Sequence, residues 1–166
     1  MTEFSLRGWD PRDIGSLLKY ADNYQIAKNL TDKFPHPYRR EDGEKFIAFA
    51  SGFDPARIFA IDINGEAVGS IGIFPQEDVH RLNAEMGYWL AEPFWGRGII
   101  SEAISRVVEY GFKTWDINRI FARPYGTNLA SQRVLEKNGF VLEARYRGTL
   151  IKNGELLDEL IYAIRR

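Results

Sequence analysis

A turn with two glycines one residue apart, Trp95-Gly96-Arg97-Gly98-Ile99-Ile100-Ser101, constrains the fold of this chain more than any other stretch. Asn83–Leu90 precedes it and reads as a strand. Ile100, Ala103, Ile104, Val107, Val108 and Phe112 follow at helical spacing and give a core-facing helix. Glycine adopts positive φ without strain and lets a ligand approach the backbone closely. The first turn of a helix has unpaired N–H groups and the positive end of the dipole, which suit an anion such as a phosphate. Two readings stay open from these residues alone: a phosphate cradle, or glycines that only shape a tight strand-to-helix turn.

The elements around this turn follow from local signals. Phe4–Arg7 reads as a short strand ended by Gly8, and Asp10-Pro11 offers an N-cap followed by proline at the first helical position. A helix through Leu17, Leu18 and Ala21 is followed by a second, shorter one over Tyr24–Leu30. The two prolines of Phe34-Pro35-His36-Pro37-Tyr38 then break the pattern. A helix over Glu41–Ala50 places Phe46, Ile47, Phe49 and Ala50 mostly on one side. After Pro55 the period changes. Arg57–Ile63 and Ala67–Phe74 form a hairpin about Asn64-Gly65-Glu66, and Gln76–Arg81 is a polar connection to Asn83–Leu90. Arg119–Arg123 is a short strand, Leu129–Lys137 a helix stopped by Asn138-Gly139, and Val141–Ile151 and Glu155–Ile164 a hairpin turning at Asn153-Gly154. The order predicts an α+β (mixed α/β) sandwich, a sheet flanked by helices. It is unlike a Rossmann unit, and the Gly-x-Gly lacks the third glycine of the dinucleotide fingerprint.

At 166 residues, 45% hydrophobic and 14% aromatic, the chain reads as one domain, residues 1–166, with a substantial core. A net charge of −1 gives no footprint for nucleic acid or an anionic membrane. With no cysteine there is no disulfide framework, thiolate zinc site or cysteine nucleophile. Neither a signal peptide nor an apolar span of about 18 residues is visible, so a cytoplasmic protein is the expectation.

Four motifs now stand in order: Asn29-Leu30 with Phe34-Pro35-His36-Pro37-Tyr38; Glu85-Met86-Gly87-Tyr88-Trp89-Leu90; Trp95-Gly96-Arg97-Gly98-Ile99-Ile100-Ser101-Glu102-Ala103; and Asn128-Leu129-Ala130-Ser131 with Asn138-Gly139-Phe140. In order and spacing they resemble the GCN5-related N-acetyltransferase (GNAT) superfamily, more narrowly its RimJ/RimL-like ribosomal-protein branch. The resemblance spans almost the whole chain. It implies the acyl-CoA N-acyltransferase fold, with a central, mostly antiparallel sheet of six to seven strands. It implies transfer of an acetyl group from acetyl-CoA, as cosubstrate, to a primary amine, with no metal. By the same resemblance Trp95, Gly96, Arg97, Gly98, Ile99, Ile100 and Ser101 hold the pyrophosphate. Tyr88, Trp89 and Leu90 line the acetyl end, where backbone N–H groups of Gly87–Leu90 polarise the carbonyl. Asn128 contacts the coenzyme, and Ser131 lies beside the thioester sulfur as a candidate acid. Both can also serve as cap and first-turn residues. Pro93 replaces the Gln or Arg that often opens the motif, a change common in this branch. Val134 and Leu135 stand where many relatives carry a tyrosine acid.

Aminolysis of a thioester needs a neutral amine, so a base must take a proton. Strand alternation puts Glu85, Gly87 and Trp89 on one face, and a carboxylate on a mostly buried strand is costly unless paired or functional. Glu85 is therefore either the base or the partner of an arginine such as Arg123 on the next strand. Some ribosomal-protein acetyltransferases carry a catalytic Glu on the strand after Gly139-Phe140, where this chain has Leu150; that weakens the ribosomal assignment and leaves the chemistry standing. Without cysteine, acetyl passes directly within a ternary complex. Phe34, His36, Tyr38 and Tyr125 are expected at the acceptor side, with a packed turn as the other reading of Tyr125. Trp89 and Trp95 read as packing residues within the cofactor segment, and His80 as surface. The expected partners are acetyl-CoA and an amine, whether a protein N-terminus or a small molecule, with neither nucleic acid nor membrane, in a monomer or homodimer. The competing reading is a non-catalytic acyl-CoA binding or sensing module.

Overall fold

Asn64-Gly65 and Asn153-Gly154 each place two consecutive residues at positive φ, 53° and 85° in the first pair and 50° and 80° in the second. Such mirror-image two-residue turns match the twist of the strands that they join. The first joins β2 (Ile58–Ile63) to β3 (Glu66–Pro75), the second β6 (Val141–Lys152) to β7 (Glu155–Arg165). With β1 (Ser5–Gly8), β4 (Asn83–Leu90) and β5 (Arg119–Ala122) they build a seven-stranded, mostly antiparallel sheet in the order β1-β2-β3-β4-β5-β7-β6. β4 and β5 pair in parallel, which requires a crossover, and α4 (Ile99–Thr114) supplies it. The computed structural model describes residues 2–166 and divides into two compact units.

The first unit runs up to Gly72 and takes in Tyr88–Ala103. Asp10 caps a single 3-10 turn, Pro11–Asp13, which leads into α1 (Ile14–Ala21). Arg7 of β1 ties this entry to the sheet. Its guanidinium donates to both oxygens of the buried Asp13 at 2.8 Å and to Asp62 of β2 at 2.6 Å. Burial alone would raise the Asp13 carboxyl, but Arg7 and the Asp10 N–H outweigh it and hold it below the usual range. Leu17, Ile61, Val68, Ile71 and Ile99 form the buried centre.

Two expectations are corrected here. The helix begun at Tyr24 closes at Ala27 (α2, Tyr24–Ala27), three residues early. In α3 (Arg40–Ala50), Ile47 and Ala50 are buried but Phe49 is 56% exposed, and its ring meets the edge of Phe53. An apolar stripe read from spacing counts Phe49 with its neighbours, whereas burial also needs an element packed over that side of the helix.

The second unit comprises Ile73–Gly87 and Ile104–Arg166. Its core is Ile73, Ile104, Val107, Ile117, Ile120, Leu135 and Leu160. A Cβ on Gly111 would collide with Ile73 Cδ1, so this glycine lets α4 lie close on β3. α5 (Leu129–Lys137) ends at Asn138, with Gly139 at φ 84°. Among the described residues no helix is long and apolar enough to cross a membrane.

Candidate functional site

The glycine turn lies in the first unit. A short 3-10 turn, Glu92–Phe94, begins with Pro93 near its start and is pinned at both ends. Trp95 Nε1 donates to the Leu90 carbonyl at 2.7 Å, and Asn23 donates to Glu92 at 3.0 Å. Gly96 and Gly98 then take φ of 73° and 77°. A Cβ at either glycine would meet nothing within 4 Å, so their role is backbone conformation together with open space above the turn. The buried Ile99 anchors the start of α4, and the Glu102 N–H bonds the Gly98 carbonyl at 3.1 Å. Ile100 and Ser101 fall in the same first turn, where helix N–H groups lack intrahelical acceptors. Arg97 is exposed. It donates to the Pro93 carbonyl at 3.0 Å and lies over the Phe94 ring at 5.2 Å. An exposed left-handed turn that is open above and continuous with a helix N-terminus fits a pyrophosphate.

β4 leads into this turn. Trp89 is buried against Phe34, ring centroids 5.7 Å apart, and Leu90 is buried with it, while Tyr88 is half-buried. Trp89 is thus a packing residue, whereas Trp95 is 45% exposed and braces the turn through its indole N–H. Sequence reading missed Gly69 of β3. A Cβ there would lie 2.5 Å from the Trp89 carbonyl oxygen and 3.1 Å from Leu90 Cα, so glycine lets the two backbones approach where β4 ends. A glycine in the interior of a strand-like run, between Val68 and Ser70, is the signal that could have found it.

Of the four residues expected at an acceptor, Phe34, His36 and Tyr38 lie in this unit; Tyr38 is 6% exposed and packs against the half-buried Phe34 ring, centroids 5.1 Å apart. Burial pushes the Tyr38 hydroxyl up to about 12. His36 is the exposed member, with Nδ1 at 3.5 Å from Asp22 and the Tyr24 ring at 5.9 Å.

Glu85, Asn128, Ser131 and Tyr125 lie in the second unit. The register sets Glu85 of β4 beside Phe121 of β5, and Tyr125 bridges Glu159 of β7. Period-two alternation therefore puts Glu85, Arg123 and Glu159 on one face. Arg123 Nη1 is 3.8 Å from Glu85 Oε1, while Nη2 reaches Glu159 Oε1 at 3.1 Å and Nε reaches it at 3.3 Å. The expected ion pair exists, but its tighter half goes to Glu159, which sequence reading did not single out. Its signal was an acidic residue opening the apolar run Leu160–Ile164. Burial pushes the Glu85 carboxyl above the usual carboxylate range; Arg123 opposes this and Glu159 adds to it.

Asn128 caps α5, its Oδ1 accepting from the Ser131 N–H at 3.2 Å, and Ser131 is half-buried. Capping and ligand contact are compatible, since the Oδ1 bond leaves the amide NH₂ as donor. Tyr125 is 7% exposed, and its carbonyl accepts from Gln132 at 3.3 Å, which favours the packed-turn reading. Leu150 pairs with Leu157 across the last hairpin, and His80 is exposed.

Residues 3–141 match the acetyltransferase (GNAT) domain. The chain is 39% identical over 99 residues to the uncharacterized N-acetyltransferase YoaA of Bacillus subtilis, covering 60% of this chain and 55% of that protein. It is 31% identical over 108 residues to the ribosomal-protein-serine acetyltransferase of Escherichia coli, covering 65% of this chain and 60% of that one. The chain thus spans a little over half the length of these two relatives. Among solved structures, RimL, a ribosomal L7/L12 α-N-protein acetyltransferase in complex with coenzyme A, superposes with a TM-score of 0.86 at 24% identity, over 99% of this chain and 95% of that one. A match over most of its length, carrying the glycine turn between β4 and α4, places this chain in the GNAT family of N-acetyltransferases.

Proposed function

We propose that the protein moves an acetyl group from acetyl-CoA directly to a primary amine, and that a protein N-terminal α-amine, including that of a ribosomal protein, is the acceptor. The observation that carries the reading is the open, left-handed Gly96–Gly98 turn at the start of α4. The acceptor class rests on the printed activities of relatives, a ribosomal-protein-serine acetyltransferase among them.

The turn and the first N–H groups of α4 take the pyrophosphate, and the strand end at Tyr88–Leu90 takes the acetyl end. An α-amine has a pKa of about 8 and is largely protonated at neutral pH. Glu85, made more basic by burial, accepts its proton, directly or through one water. The nitrogen lone pair then forms a bond to the carbonyl carbon, and the C–S bond breaks with its electron pair on sulfur. Ser131 supplies the proton that gives the free thiol and regains one from water. Glu85 releases the first proton to water before it takes the second, which the nitrogen loses as the amide forms. Two protons reach water and Ser131 recovers one, so the net release of one proton balances the step.

The test is an acetylation assay read by mass spectrometry, with Ser-initiated peptides, polyamines and an aminoglycoside as acceptors. The expected outcome is one acetyl group on the peptide α-amine and a loss of about 10²-fold or more in kcat for Glu85→Gln. Acetylation of the polyamines alone would refute the acceptor class, and an unchanged kcat in Glu85→Gln would refute the base.

A further inference from the structure

Glu85, Arg123 and Glu159 form an asymmetric set: two carboxylates share one guanidinium. Arg123 presents Nε and Nη2 to Glu159 Oε1 at 3.3 and 3.1 Å, with Nη2 also 3.3 Å from Oε2. Nη1 stands 3.8 Å from Glu85, beyond hydrogen-bond distance. Glu159 is the better buried carboxylate, its side chain 17% exposed against 36% for Glu85. Two-point binding by a planar guanidinium fixes its orientation as well as its distance. An arginine closed on Glu85 in the same way would hold it as an anion and make it a poor proton acceptor. With no arginine, two carboxylates would face each other across one strand, and one would stay protonated.

We propose that Glu159 is a positioning residue that holds the Arg123 guanidinium off Glu85 and so keeps the Glu85 carboxylate available to take the amine proton. The proposal rests on Glu85 as the proton acceptor. The neighbouring elements leave these three groups to set the balance. Arg119, two residues along β5 from Phe121, spends its guanidinium on Asn83 at 2.9 Å and Glu143 at 2.9 and 3.1 Å. Glu143 of β6 is further bound by Arg165 at 3.0 Å. Tyr146 of β6 is the register partner of Glu159. β3 carries one titratable residue, Glu66, which Lys19 and Tyr20 engage at 3.1 and 3.0 Å.

The role demands shifts of opposite sign, which a loss of packing alone would not give. In Glu159→Gln the arginine is released toward Glu85 and a repelling charge is lost, so the Glu85 midpoint falls by about one pH unit. In Arg123→Gln the cation that opposes the effect of burial on Glu85 is lost, and the midpoint rises by a similar amount. Glu159→Asp keeps the charge and restores most of the wild-type midpoint. The measurement is a side-chain carboxyl NMR titration of the full chain, with Glu85 assigned through Glu85→Gln. It needs neither acetyl-CoA nor an acceptor. A fall in one variant and a rise in the other supports the proposal. An unmoved midpoint in either, or shifts of the same sign, overturns it. Should Glu159→Gln fail to fold, Arg123→Gln and Glu159→Asp decide: a rise in the first with a near-native second supports it, and any other pair overturns it. Retained transfer in Glu85→Gln would sink the base reading instead, a result independent of these titrations.

Discussion

Two substitutions at Gly98 separate the conformation of the turn from its electrostatics. Gly98 sits at φ 77°, and a Cβ there would touch nothing. The cost of Gly98→Ala is therefore the left-handed penalty alone, about 1–2 kcal/mol, or roughly 2–8 °C in Tm for a chain of this size. Gly98→Asp costs no more, since Asp tolerates that region better than Ala. Binding follows the opposite order. A carboxylate at about 5 Å from a doubly charged pyrophosphate, at the intermediate dielectric of an exposed turn, opposes it by roughly 2–3 kcal/mol, or about 30- to 150-fold in Kd. Alanine adds no charge and leaves Kd within about tenfold. Thermal unfolding reads the first order and calorimetric titration with acetyl-CoA the second. Equal affinity in the two variants, or an Asp variant that binds like the wild type, would refute an anion on this turn.

Other perturbations test the surrounding scaffold. Gly69→Ala forces a methyl to 2.5 Å from the Trp89 carbonyl, so β3 and β4 must part; a loss of about 2 kcal/mol or more, seen as a lower denaturant midpoint, is expected. Arg7→Met leaves Asp13 and Asp62 without their cation and costs about 2–3 kcal/mol at pH 7, less than a fully buried pair because Arg7 is 32% exposed. The Asp13 contribution is present above its unfolded value of about 3.9 and is lost as pH falls through its lower folded value, so the gap from wild type narrows below about pH 4 in a Tm-versus-pH series. Glu85→Gln has the reverse sign. A carboxyl whose folded pKa is raised costs stability once it ionises, so the variant unfolds at a higher Tm than wild type at pH 7–8, and the difference vanishes below about pH 4.

The strongest local signals were read most faithfully. The Asn-Gly turns fix their own backbone sign, and Asn83–Leu90 and Leu129–Lys137 have the bounds expected from pattern and capping. Glycine at positions 96 and 98 permits positive φ, and the turn uses it at both. What the chain hides is set by partners distant in sequence. Glu159 matters because an antiparallel register carries it to Arg123, and nothing local to either residue announces the other. Tyr38 and Tyr125 are expected at the acceptor side, and the burial of both, 6% and 7% exposed, depends on partners that their own turns do not reveal. Phe49 fails the other way, since an apolar residue on the correct side of a helix is buried only if an element covers it there.

The most direct measurement incubates the protein with acetyl-CoA and a panel of primary amines, counting free CoA, acetylated amine and acetylated protein in the same sample. Direct transfer predicts free CoA and acetylated amine in equal amounts, with no acetyl group on the protein. Binding of acetyl-CoA with no amine in the panel acetylated would contradict the account and leave an acyl-CoA sensing module.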